Sequence, residues 1–168
     1  MDIHTFLQNE MRKLHDTETQ LLDGLSFLAG KARNEDLRTA LLEHRSETVE
    51  HVRRIEQICA SIQCPASGGV DTVTRALIAE TQTLLQNAPM SSITDACIIA
   101  AAQKAEHLEI ASYGTALALA DEMDHDIAKD LLEKTLEEEK KADKRLSKIA
   151  SHGINEEAVE LSGQASMR

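Results

Sequence analysis

Glu106 and Glu109 interrupt an apolar stripe that runs Ile99, Ala102, Tyr113, Leu117 and Ala120. Glu18 interrupts a second stripe, formed by Leu7, Met11, Leu14, Leu21, Leu25 and Leu28. Steps of three and four residues put the members of each stripe on one face of a helix. A carboxylate without a counter-charge on such a face costs several kcal/mol. A cation opposite the carboxylates resolves the conflict, and a metal ion is the simplest choice.

Two further stripes carry the same kind of interruption. Leu37, Ala40, Leu41, Ile55, Ile58 and Ile62 have His44, Glu47 and His51 between them, and Leu132, Leu136, Leu146 and Ile149 have Glu139 and Asp143 between them. Four helical patterns thus replace core residues by ligand-type residues near mid-length, and each can turn two donors to one point. Carboxylates with one or two imidazoles suit iron or manganese, and the lack of thiolate in the set argues against structural zinc. Carboxylates on facing helices can bridge two metals. The expected cofactor is therefore a pair of divalent ions, Fe or Mn, reacting with peroxide or dioxygen.

Tyr113, the chain's one tyrosine, lies a turn beyond Glu109 and is the expected catalytic side chain, hydrogen-bonded to a ligating carboxylate or a bound oxygen species. A buried tyrosine on a carboxylate is also routine packing. Taken alone, His44 or Glu47 reads more readily as a helix surface or a satisfied core residue; recurrence at matching depth in four helices is what separates them from that background. Glu138 belongs to an acidic run over 137–139, ordinarily a solvated face, and only Glu139 of that run falls in the stripe. His4, His107, His125 and His152 lie off the stripes and are expected to be exposed.

The elements that position these residues read as helices over 3–32, 34–62, 71–87, 92–123 and from 124 or 126 to about 152. Asn34 is the expected N-cap of the second, with Glu35 and Asp36 in its first turn. The stretch 64–69, Cys-Pro-Ala-Ser-Gly-Gly, breaks the chain. Ser92 with Asp95 three residues on resembles a capping box. Two helical hairpins with short loops, joined by a long connection carrying a small helix, give a ferritin-like four-helix bundle over 1–153; a plain up-down-up-down bundle needs no such connection. Residues 154–168 read as a polar extension with a turn or two of helix. A weak internal repeat relates His15-x-x-Glu18 to Glu106-x-x-Glu109.

Composition supports an all-α domain. Aromatic residues are only 2% of the chain, which disfavours a β-sandwich. A net charge of -11 without a basic stripe argues against nucleic acid and anionic membrane as partners. No apolar run reaches the ~20 residues of a bilayer span, and the first ten residues have no secretory apolar core. Three cysteines, Cys59, Cys64 and Cys97, read as reduced packing residues of a cytoplasmic protein.

Several stretches resemble the YciE/YciF family of bacterial ferritin-like stress proteins: His44-x-x-Glu47-Thr48 followed by Arg54-Ile55-Glu56, the run from Ala100 to Gly114, Leu132 through Lys140, and Glu18-x-Gln20-Leu21. The resemblance covers the chain to about Ala150. It implies a bundle, usually a homodimer, with a rubrerythrin-type dimetal centre whose carboxylates match Glu18, Glu47, Glu106, Glu109 and Glu139 and whose histidine matches His44. His15 and His51 depart from the family's usual residues, so the nitrogen ligand is either His44 or His51. The rival expectation is a structural or regulatory stress protein with a vestigial metal site.

Overall fold

The protein was analysed as a computed structural model, which describes residues 1–165; the last part of the expected polar extension, 166–168, lies outside them. Helix α1 (Ile3–Lys31) starts where the Asp2 carboxylate accepts the Thr5 amide at 2.8 Å. Helix α2 (Glu35–Ser61) is capped by Asn34, which accepts the Leu37 amide at 3.0 Å, with Glu35 and Asp36 at its positive end. Helix α3 (Thr72–Leu85) and helix α4 (Ser92–Glu122) follow.

The cap of α4 is Ser91, one residue before the expected one, and Asp95 does not close a capping box. Its carboxylate accepts from the Arg33 amide at 2.8 Å and the Asn34 amide at 3.1 Å. Asp95 is buried and thus pins the α1–α2 loop to α4.

Helix α5 (Asp126–Ile149) ends in a kink at which Gly153 has φ 112°, a left-handed conformation that glycine adopts without a Cβ clash. The kink buries Ile154 and leads into helix α6 (Asn155–Ala165), an eleven-residue helix that packs on α4. The extension is therefore more helical than its polar composition suggests. His4, His107 and His152 are exposed as expected, whereas His125 is half-buried at the start of α5.

Antiparallel pairs α1/α2 and α4/α5 pack through α1–α4 and α2–α5 contacts. The crossover runs along α1. The Asp71 amide donates to Asp16 Oδ2 at 2.7 Å at its start, and Lys31 Nζ donates to the Gln86 carbonyl at 3.1 Å at its end. This return places the start of α4 beside the α1–α2 loop, so α4 runs parallel to α2, as in ferritin-like bundles. No helix among the described residues is long and apolar enough to cross a membrane.

The core is two clusters rather than one. Leu7, Met11, Leu14, Ile55, Ile58 and Leu132 belong to the first; Leu25, Leu28, Leu37, Leu41, Ile98 and Leu146 belong to the second. Each such side chain stabilises the fold by about 1.5–3 kcal/mol. That adhesion above and below holds the helices together across a polar middle layer.

Candidate metal centre

The middle layer consists of Glu18 from α1, His44 and His51 from α2, Glu106 and Glu109 from α4, and Glu139 from α5, all buried. Two groups of donors form within it. Glu18, His51 and Glu139 make one; His44, Glu106, Glu109 and Glu139 make the other. Glu139 belongs to both. His51 Nδ1 lies 2.9 Å from Glu139 Oε1 and 3.4 Å from Glu18 Oε1, and His44 Nε2 lies 3.3 Å from Glu106 Oε1 and 3.5 Å from Glu139 Oε2.

These contacts leave much unsatisfied. Glu18 Oε2, Glu106 Oε2, both oxygens of Glu109 and both of Glu139 have no hydrogen-bond partner, and His51 Nδ1, though close to its carboxylates, is not aligned with one. Each unmade hydrogen bond of a buried group costs about 1–3 kcal/mol. Orphaned oxygens and imidazole nitrogens facing one another are hard and borderline donors of the kind that suit a divalent cation, so each group could hold a metal ion.

Protonation shows how the layer exists without ions. Burial, then repulsion from Glu139 and the other carboxylates, pushes Glu106 and Glu109 well above the usual carboxylate range. Burial raises Glu18 as well. Burial would also raise Glu139, but His51 and His44 outweigh it and hold Glu139 below its ordinary value. His51 resists its own desolvation because Glu139 and Glu18 stabilise its charge, and it is pushed up to about 10. The Glu139 carboxylate is thus favoured as the ionised partner of the His51 imidazolium, while burial and mutual repulsion favour the neutral form of Glu106 and Glu109.

Tyr113 is fully buried and its hydroxyl donates to Glu18 Oε1, so the tyrosine touches a carboxylate of the layer as the spacing implied. Burial, then the Glu18 charge, raises its phenol. Glu47 departs from the expectation: its side chain is 52% exposed, and it reaches the site only through His44, whose Nδ1 lies 3.3 Å from Glu47 Oε2. At ~100° per residue, His51 is ~20° from His44 around the helix and Glu47 ~60°, on the edge of the buried face. His51 thus joins His44 in the layer instead of replacing it.

Glu138 carries a role its acidic run concealed. His51 Nε2 donates to Glu138 Oε2 at 3.0 Å, and Arg54 grips the same carboxylate at 2.5 and 3.2 Å while also meeting Thr135 at 3.0 Å. Glu138 is half-buried, which favours its neutral form, but Arg54 and His51 overcome this and keep its pKa low. An ionised Glu138 can only accept, so the Nε2 proton is fixed and Nδ1 is the nitrogen turned toward Glu18 and Glu139. Asp143 stays outside both groups, accepting from Gln103 at 2.9 Å. His15 lies 3.6 Å from Glu56, away from the layer. Cys59 is buried, and burial with Cys64 nearby pushes its thiol up to about 12, so it packs as a neutral thiol.

Two openings flank the layer. A cleft of about 90 Å³ between α2 and α5 is lined by His44, Glu47, Glu106, Lys141 and Arg145. A mainly apolar cavity of about 30 Å³ beneath α3 reaches Glu106 and Glu109 from the other flank.

Similarity to known proteins agrees with this construction. The family model described as a domain of unknown function, DUF892, matches residues 2–159. Protein YciF of Escherichia coli is 37% identical over 152 residues, 86% of this chain and 87% of that protein. The crystal structure of the E. coli stress protein YciF superposes with a TM-score of 0.88 at 34% identity, covering 92% of this chain and 98% of that one. YcfI of Rhodopseudomonas palustris, whose description proposes a structural role, superposes with a TM-score of 0.84 at 31% identity, covering 88% and 94%. With its fold and nearly its whole length shared in this way, the chain belongs to the DUF892 family of YciF-like helical bundle proteins.

Proposed function

We propose that the protein holds two divalent ions, iron or manganese, in its polar layer and reacts with peroxide or dioxygen under stress, as a cytoplasmic homodimer. The observation that carries this reading is Glu139, shared by two buried donor groups whose remaining oxygens are otherwise without partners. Glu18 and His51 would complete one position; His44, Glu106 and Glu109 would complete the other. When bound, such a pair supplies electron exchange with a small oxygen species. The protein's own part is to orient and to manage protons. Arg54 and Glu138 hold the His51 ring, Tyr113 positions Glu18 through its hydroxyl, and Glu106 and Glu109 release their protons as cations arrive. The leucine clusters on either side keep bulk water from the layer.

The test is a metal count followed by peroxide consumption on one preparation made with iron and manganese available. The reading expects two ions per chain and peroxide loss that falls in Glu139→Gln. Absence of stoichiometric metal sinks it. The structural description given to YcfI favours a second reading, in which the same centre is filled but serves stability or assembly; metal at full occupancy without peroxide loss supports that reading instead.

A further inference from the structure

Glu47 belongs to neither donor group, yet it is not idle. It lines the cleft between α2 and α5 together with His44, Glu106, Lys141, Ala142 and Arg145. From solvent inward the cleft presents Glu47, more than half exposed, then His44, 3.3 Å from it and 92% buried, then Glu106, 3.3 Å beyond and 98% buried with Oε2 unpartnered. Two contacts of equal length thus join bulk water to the interior.

We propose that this cleft is the route by which divalent cations reach the centre, with Glu47 a transit ligand at its mouth. The inference rests on the metal reading above. A cation needs continuous oxygen or nitrogen donors to exchange for its waters, because an unpartnered charge in an apolar passage is expensive. The cleft carries a charged donor out to its exposed rim in Glu47, whereas the cavity beneath α3, though it also reaches His44, Glu106 and Glu109, is otherwise lined mainly by apolar side chains such as Leu21, Leu25, Leu28 and Ile78 and has no such carboxylate at its outer side. The charges at the mouth are compatible with the role. Arg145 is engaged by Glu43, and Lys141 is exposed to solvent, which screens its charge. The His44 ring can pass an ion because one nitrogen faces Glu47 and the other faces Glu106 and Glu139.

The experiment follows Mn2+ uptake into the full-length metal-free protein by stopped-flow quenching of Tyr113, the sole tyrosine in a chain without tryptophan, and then counts manganese per chain at the end point. Glu47→Gln removes the transit charge, and Ala142→Phe narrows the cleft without touching a donor. Each is expected to slow uptake by about tenfold or more while reaching the wild-type end point. Ala101→Phe, on the apolar flank, is expected to leave the rate unchanged. Uptake at the wild-type rate in both cleft variants overturns the route, as does slowing by Ala101→Phe alone. A lowered end point in Glu47→Gln overturns the transit role by making Glu47 a resident ligand. Failure of the wild-type protein to take up manganese or iron refutes the metal reading itself, and that result is distinguishable from the others because it precedes any variant.

Discussion

Replacing Glu109 by methionine should make the metal-free protein more stable and the metal-supplemented protein less so. Glu109 is 1% exposed, and neither of its oxygens has a hydrogen-bond partner. Burial and the carboxylates around it push its pKa well up, so without a cation it is held as a neutral acid at a desolvation cost. Removing an unmade buried group returns about 1–3 kcal/mol, and methionine, similar in length and adaptable in shape, fills the volume with little strain. At 2 kcal/mol the melting temperature of a chain this size rises by roughly 6 °C. In the wild-type protein a ligand present at a hundred times its dissociation constant adds about 2.7 kcal/mol; in Glu109→Met the position served by His44, Glu106 and Glu109 loses a donor and most of that gain. The assay is thermal unfolding followed by circular dichroism, with chelator and with excess Mn2+. The predicted pattern is a crossover: the variant melts above wild type in chelator and below it in metal. A variant that melts below wild type in chelator, or that keeps the full metal-induced shift, refutes the argument that Glu109 is retained for a cation.

Three other perturbations probe the same layer. In chelator, stability should fall as pH rises: Glu106 and Glu109 keep protons that the unfolded chain releases above about 4.5, and His51, raised to about 10, loses its stabilising charge between 6.5 and 10. Urea midpoints that climb from pH 5 to pH 8 in chelator contradict this. Apparent metal affinity should run the opposite way, because binding displaces those protons. Glu138→Gln should weaken metal binding by about 10–100-fold, since the neutral amide no longer fixes the His51 tautomer and leaves Arg54 unpaired; an unchanged titration denies Glu138 its positioning role. Glu106→Ala should release metal while lowering chelator-state stability by no more than about 1–2 kcal/mol, the lost contacts being offset by removal of a buried acid, and denaturant unfolding measures it.

Much of this could be read from the chain because bundle helices translate spacing directly into facing. The five helices, the crossover and the membership of Glu18, His44, Glu106, Glu109 and Glu139 in one layer all follow from three- and four-residue steps. The rule says less at the edges of a face. Glu47 shares a turn with His44 but lies ~60° around the helix from it, and a stripe counted by spacing alone does not distinguish the centre of a face from its rim. Glu138 looked solvated because its acidic neighbours are; only the three-dimensional approach of α2 brings Arg54 and His51 to it. Asp95 has the spacing of a local cap, but a carboxylate in a first turn can serve another helix as well as its own, as it does here for Arg33 and Asn34. Helix α6 is hard to read because its polar residues carry little periodicity, while its docking follows from the Gly153 kink that buries Ile154 and from the approach of α4.

The account turns on Glu139 as the residue common to two metal positions. Anomalous diffraction collected at the iron and manganese edges, from crystals of protein grown with both metals, tests it most directly. The prediction is two anomalous peaks flanking Glu139, one beside Glu18 and His51 and the other among His44, Glu106 and Glu109. Crystals without a peak in this layer, or with metal bound only at the surface, contradict the account.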